Sequence, residues 1–232
     1  MTGNSVLIDS DGAGQFAAYL ARPSKAKAPG VILVQEIFGV TPALRAVADS
    51  FAQRGFLVAV PDIFWRIEKG VSLEYSGPDQ KKALDYLARF DWDLGVKDVT
   101  AAIDAVRKMA ECNGRVAVVG YCLGGSLAYL TACRSNIDGA VAYYAVEILE
   151  HLDEAGNLKC PILLHYAEKD HLLKPEAVQK IKDGLKGAPA TFYDYLNVGH
   201  AFCRDAEPKD PYKAEQAAKA NVRTWEFLNR LS

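Results

Sequence analysis

Hydrophobic positions fall into short β-branched runs separated by longer amphipathic stretches. The runs Val31–Val34, Phe56–Val60, Val116–Val119, Ile137–Tyr144, Pro161–Tyr166 and Thr191–Leu196 read as strands, since they are apolar almost throughout and bounded by glycine, proline and polar clusters. Between them the apolar period lengthens to that of a helix. The first helix begins with Thr41 as N-cap and Pro42 in its first turn, and runs to about Arg54, where Gly55 stops it. Further helices are expected over about 79–90, 94–110, 123–134, 174–186 and 212–230. Strands with no polar face need cover on both sides, so the pattern predicts a doubly wound α/β fold, a mostly parallel sheet with helices on both faces. The stretch Ile63–Gln80 is the longest irregular segment and is a candidate cleft wall.

A chain of 232 residues, half hydrophobic and 24% charged, fits one such domain over residues 1–232. The net charge is −2 and the basic residues are scattered, without the run or aromatic alternation of a nucleic-acid binder. No apolar run is long enough to span a bilayer, and Met1–Asp11 lacks a signal-peptide pattern, so a cytoplasmic protein is expected, a monomer or weak homodimer. The five cysteines are odd in number and irregularly spaced, which points to free thiols and away from a disulfide framework.

Open α/β sheets place their sites beyond the carboxyl ends of the strands. The strongest signal there is Gly120-Tyr121-Cys122-Leu123-Gly124-Gly125, directly after a strand and before a helix. A side chain at the tip of so tight a turn is thrust outward, and its neighbours must be small. The first amides of the following helix then favour a thiolate and offer an oxyanion site. Cys122 is therefore the candidate nucleophile, against the alternative of a buried cysteine in a glycine-rich contact. A base is required, and of the four histidines only His200, in Asn197-Val198-Gly199-His200, follows a strand, with Gly199 allowing the bend. His165 falls inside a strand as a core histidine, and His151 and His171 read as surface or loop residues. Asp170, deep in the loop after Pro161–Tyr166, is the candidate orienting acid in preference to Glu168. Nucleophile, acid, histidine is the chain order of the α/β-hydrolase fold. A metal site built from His165, Glu168, Asp170 and His171 is the competing reading, but those residues lack the paired spacing of zinc ligands. No metal and no cofactor is expected.

With Gln35-Glu36-Ile37-Phe38-Gly39, the Cys122 turn and Gly199-His200-Ala201-Phe202 through Arg204, the sequence resembles the dienelactone hydrolase family of α/β-hydrolases over nearly its whole length. The resemblance implies Cys122, Asp170 and His200 as a triad, the amides of Ile37 and Leu123 as oxyanion hole, and Glu36 beside the resting thiol as part of the catalytic set. It implies Arg204 as a substrate-carboxylate ligand. The family's second such arginine has no counterpart, since Gln80 stands near its place with Lys81 and Lys82 adjacent. The implied substrate is a small ester or lactone, like the dienelactone of chloroaromatic degradation that opens to maleylacetate. Phe38, Phe64, Trp65, Tyr144 and Phe202 are candidates for an apolar pocket or for core. Competing functions are a broad carboxylesterase or thioesterase with the same triad, a non-catalytic binding protein on the fold, and a redox-sensing thiol.

Overall fold

The computed structural model describes residues 3–10, 12–209 and 211–231; Met1, Thr2 and Ser232, at the ends of the expected 1–232 span, lie outside them. Among the described residues eight strands form one sheet: β1 (Asn4–Asp9), β2 (Gln15–Ala21), β3 (Ala28–Val34), β4 (Leu57–Pro61), β5 (Cys112–Tyr121), β6 (Gly139–Tyr143), β7 (Ile162–Ala167) and β8 (Ala190–Tyr195). Their spatial order is β1-β2-β4-β3-β5-β6-β7-β8. From β4 onward all pairs are parallel, whereas β1 and β2 form an antiparallel hairpin that continues onto β4. This is the α/β-hydrolase fold.

Sequence patterning does not find the hairpin. β1 is exposed at most positions and β2 contains three alanines, so neither presents the apolar run of an interior strand. The interior strands behave as patterned. In β3, Ile32 and Val34 enter one core and Val31 and Leu33 the other, because successive side chains point to opposite faces.

The helices are α1 (Pro42–Gln53), α2 (Gly77–Ala88), α3 (Trp92–Arg107), α4 (Leu123–Arg134), α5 (Pro175–Gly184) and α6 (Ala214–Leu228). α1 and α6 cover one face through Leu44, Ala48, Phe51, Ala220 and Leu228, and α2 to α5 cover the other. Thr41 caps α1, its hydroxyl accepting from Leu44 N at 3.2 Å, and Gly55 takes the left-handed φ of 95° that ends the turn. α2 begins at Gly77, which shortens the irregular stretch expected over 63–80. A 3-10 segment, Ile148–Asn157, was not anticipated from the sequence. No helix among the described residues is long and apolar enough to cross a membrane.

Candidate active site

Four strand ends converge on one site. β3 leads to Glu36 and Ile37, β5 to Cys122, β7 to Asp170 and β8 to His200. Cys122 sits at φ 55°, ψ −116°, a conformation that costs a non-glycine residue about 1–3 kcal/mol. The turn is held by Cys122 N donating to Tyr143 O at 3.0 Å and Ser126 N donating to Cys122 O at 3.2 Å. It closes only because its flanks lack side chains: a Cβ on Gly120 would lie 1.8 Å from Gly124 O, and one on Gly124 would lie 2.4 Å from Val34 O. The second distance shows that the start of α4 rests on the end of β3. Leu123 N is the first amide of α4 and has no intrahelical acceptor. Ile37 N has no backbone acceptor among the described residues.

Asp170 is buried, and its two oxygens are divided between two tasks. Oδ1 accepts from Leu172 N at 2.9 Å and Leu173 N at 3.3 Å, while Oδ2 lies 2.8 Å from His200 Nδ1. Burial, the largest influence on His200, disfavours its charged form. The Asp170 hydrogen bond, the Cys122 sulfur and the charge on both outweigh it and push the imidazole pKa up to about 10. Nε2 is buried and has no partner of hydrogen-bonding geometry among the described residues. The Tyr144 ring packs edge-on against His200, 5.0 Å between centroids, with Tyr144 itself at a left-handed φ of 39°. The bend around His200 is made by Asn197 at φ 60° and Ala201 at φ 61°, so Gly199 is not the residue that takes the left-handed conformation.

Beside the histidine lies a cleft of about 280 Å³ bordered by Glu36, Phe38, Tyr75, Tyr144, Cys203 and Arg204. Arg204 Nη1 donates to Glu36 Oε2 at 3.2 Å, and its guanidinium lies 4.4 Å from the Tyr75 ring and 5.4 Å from that of Phe38. Glu36 Oε1 and Arg204 Nε are buried without hydrogen-bond partners among the described residues. Burial, reinforced by Glu36, holds the thiol of Cys203, which borders the cleft, well above its ordinary pKa, so it stays protonated.

The model of the dienelactone hydrolase family matches residues 16–232. The chain belongs to that family. It is a hydrolase. It is 36% identical over its full length, and over 98% of the relative, to carboxymethylenebutenolidase 1 of Cupriavidus pinatubonensis. Carboxymethylenebutenolidase of Pseudomonas sp. strain P51 is 34% identical over the full chain and 97% of its own length. A crystal structure from Klebsiella pneumoniae subsp. pneumoniae, 26% identical, superimposes with a TM-score of 0.82 over 98% of each chain.

In this family member, Cys122, Asp170, His200, Glu36, Ile37, Leu123, Phe38, Tyr144 and Arg204 are all brought to one end of the sheet. Gln80 and Lys81 are not among the residues that border the cleft. Both are exposed on α2, because that helix turns Ala83 and Tyr86 into the core and leaves the opposite face to solvent. Lys82 is likewise outside, paired with Glu68 at 3.0 Å. Three aromatic pocket candidates belong to the core: Phe64 packs on Tyr86 and Phe90, Trp65 donates to Asp98 Oδ2 at 2.7 Å, and Phe202 packs on Tyr144 and Tyr195. His165 is buried between Tyr195 OH at 2.8 Å and Thr224 Oγ1 at 3.0 Å, its pKa lowered to about 3 by burial and then by Arg223. Among the described residues no three His, Cys, Asp or Glu side chains converge as metal ligands.

Sequence reasoning missed Tyr75 and Cys203. Tyr75 closes the cleft from the irregular segment, where Val40 N donates to Val71 O and Leu73 N to Phe38 O, both at 2.9 Å. Its hydroxyl is 2.7 Å from Thr41 Oγ1. The only signal for it was that the segment was irregular and aromatic.

Proposed function

We propose that the chain, acting as one domain, hydrolyses a small ester or lactone of the dienelactone type through Cys122, with His200 as base and Asp170 as the group that orients it. The observation that carries this reading is the 2.8 Å bond between Asp170 Oδ2 and His200 Nδ1, beside a cysteine held at a strained strand-to-helix tip. Full-length relatives named carboxymethylenebutenolidase support the substrate class.

The imidazolium favoured by Asp170 stabilises a thiolate at Cys122, which attacks the carbonyl carbon. The oxyanion that forms is held by the amides of Ile37 and Leu123, donors fixed by the contact between α4 and β3. His200 then passes its proton to the leaving oxygen and the thioester remains on Cys122. Water, deprotonated by the now neutral imidazole, attacks the thioester carbonyl, and the sulfur leaves as thiolate with its imidazolium partner restored. Glu36, the carboxylate that the family resemblance places beside the thiol, is paired with Arg204 at the cleft. The same reading sets the enzyme in the cytoplasm as a monomer or weak homodimer.

Cys122→Ala should abolish turnover of both the dienelactone and p-nitrophenyl acetate without lowering the melting temperature. Retention of more than a few per cent of either activity would refute the assignment. A second reading, a carboxylesterase of broader scope, is favoured by one observation: the charge of Arg204 is already balanced by Glu36, and among the described residues no second cation lines the cleft. Comparable kcat/KM values for neutral aryl esters and for the anionic lactone would select it.

A further inference from the structure

The cleft continues past the Glu36–Arg204 pair. Beyond it, one face of α1, carrying Ala43, Ala46, Val47 and Ser50, stands opposite Tyr212 and Asn221. None of these six residues has a part in the hydrolytic steps, yet together they border a groove that is open to solvent on one side. Alanine at positions 43 and 46 leaves the helix face low, and the bulk nearby is aromatic, from Tyr144, Tyr121 and Tyr212. The far end is polar. Ser50 Oγ donates to Val47 O at 2.7 Å and keeps lone pairs to accept with. Asn221 Oδ1 accepts from Tyr143 OH at 3.2 Å, which leaves its amide hydrogens to donate. The near end is polar as well, through the unpartnered Nε of Arg204 and Oε1 of Glu36.

Size and chemistry together define the occupant. A closed apolar cavity of about 150 Å³ takes benzene, and this open cleft of about 280 Å³ has room for one aromatic ring with a short linker and a small polar group at either end. The near end is joined to the reaction centre through Tyr144, which borders the cleft and packs on His200. We propose that the α1–α6 arm of the cleft is a substrate subsite for a single aromatic ring bearing a polar substituent, with the ring on α1 and its substituent between Ser50 and Asn221. The inference rests on the hydrolase reading and narrows it: this member takes aryl-bearing esters that a site ending at Arg204 would not hold.

Binding of 3-(4-hydroxyphenyl)propanoate, 3-phenylpropanoate and propanoate, measured by titration calorimetry, tests the arm without requiring turnover. The hydroxyphenyl acid should bind at least about tenfold more tightly than propanoate, the scale expected for burying a ring. Ala46→Phe, at an exposed position of α1, should bring the two within about threefold, with folding checked by the melting temperature. Asn221→Ala should remove the advantage of the hydroxylated ring over the plain one, and serves if Ala46→Phe does not fold. Equal affinities in the wild type, or an undiminished preference in folded Ala46→Phe, would overturn the proposal. The same titrations on Cys122→Ala separate the two claims: a ring preference there without any turnover in the wild type would remove the hydrolytic reading and leave the arm.

Discussion

Replacing Asp170 by asparagine perturbs one bond and keeps the shape of the site. Asp170 Oδ1 is fixed by two amides, those of Leu172 and Leu173, so the oxygen of an asparagine would stay on them. Its NH₂ group would then face His200 Nδ1, where the carboxylate oxygen stood at 2.8 Å. Two effects follow. Loss of a buried charged hydrogen bond removes about 1.5–3 kcal/mol, or about one to two decades. An amide donor also forces the neutral ring to carry its proton on Nε2, so the nitrogen facing the reaction no longer accepts, an error worth about four decades in a serine enzyme. We expect kcat/KM for p-nitrophenyl acetate to fall by about 10³–10⁴. Stability should respond in step. Because the folded His200 pKa of about 10 lies above its ordinary 6.5, the folded state binds this proton more tightly. The resulting stabilisation is full below pH 6.5 and is lost as the pH rises towards 10. Asp170→Asn should flatten that slope when melting temperatures at pH 6 and pH 10 are compared. A loss of activity under tenfold, with the melting difference unchanged, would refute the role given to Asp170.

Arg204→Ala should cut kcat/KM for a carboxylate-bearing lactone by about one to two decades and leave a neutral aryl ester nearly untouched, since a guanidinium–carboxylate pair contributes about 1.5–3 kcal/mol. Equal losses on both substrates, measured in parallel assays, would make Arg204 a structural partner of Glu36 alone. Gly124→Ala places a Cβ 2.4 Å from Val34 O and 2.6 Å from Gln35 O, so α4 must retreat from β3. Overpacking of about 1–3 kcal/mol should lower the melting temperature by about 2–10 °C. Activity should fall by more than the stability loss explains, because the Leu123 and Ile37 amides separate.

Much of this was legible because the chemistry sits where the backbone is most constrained. The Cys122 turn demands glycine at 120 and 124, and α4 begins at Leu123 as its pattern indicates. Interior strands announce themselves by having no polar face, whereas the β1–β2 hairpin, half in solvent, does not. Residues that act through tertiary approach were the hardest to read. Tyr75 and Arg204 meet across 129 positions in sequence, and nothing local to either indicates the stacking at 4.4 Å. Gln80 and Lys81 stand on the solvent face of α2, which matching along the chain does not reveal. Glu36, expected beside the thiol, holds Arg204 through one oxygen, a pairing visible only when β3 and the loop after β8 are brought together.

The central claim is that the acyl group passes through Cys122. Acid quenching during turnover of p-nitrophenyl acetate, followed by peptide mass spectrometry, tests it most directly. The account predicts an acetyl adduct on the peptide containing Cys122 that builds up within the first turnovers and is absent in Cys122→Ala. An adduct on Cys203, or full turnover with no adduct on any cysteine, would contradict it.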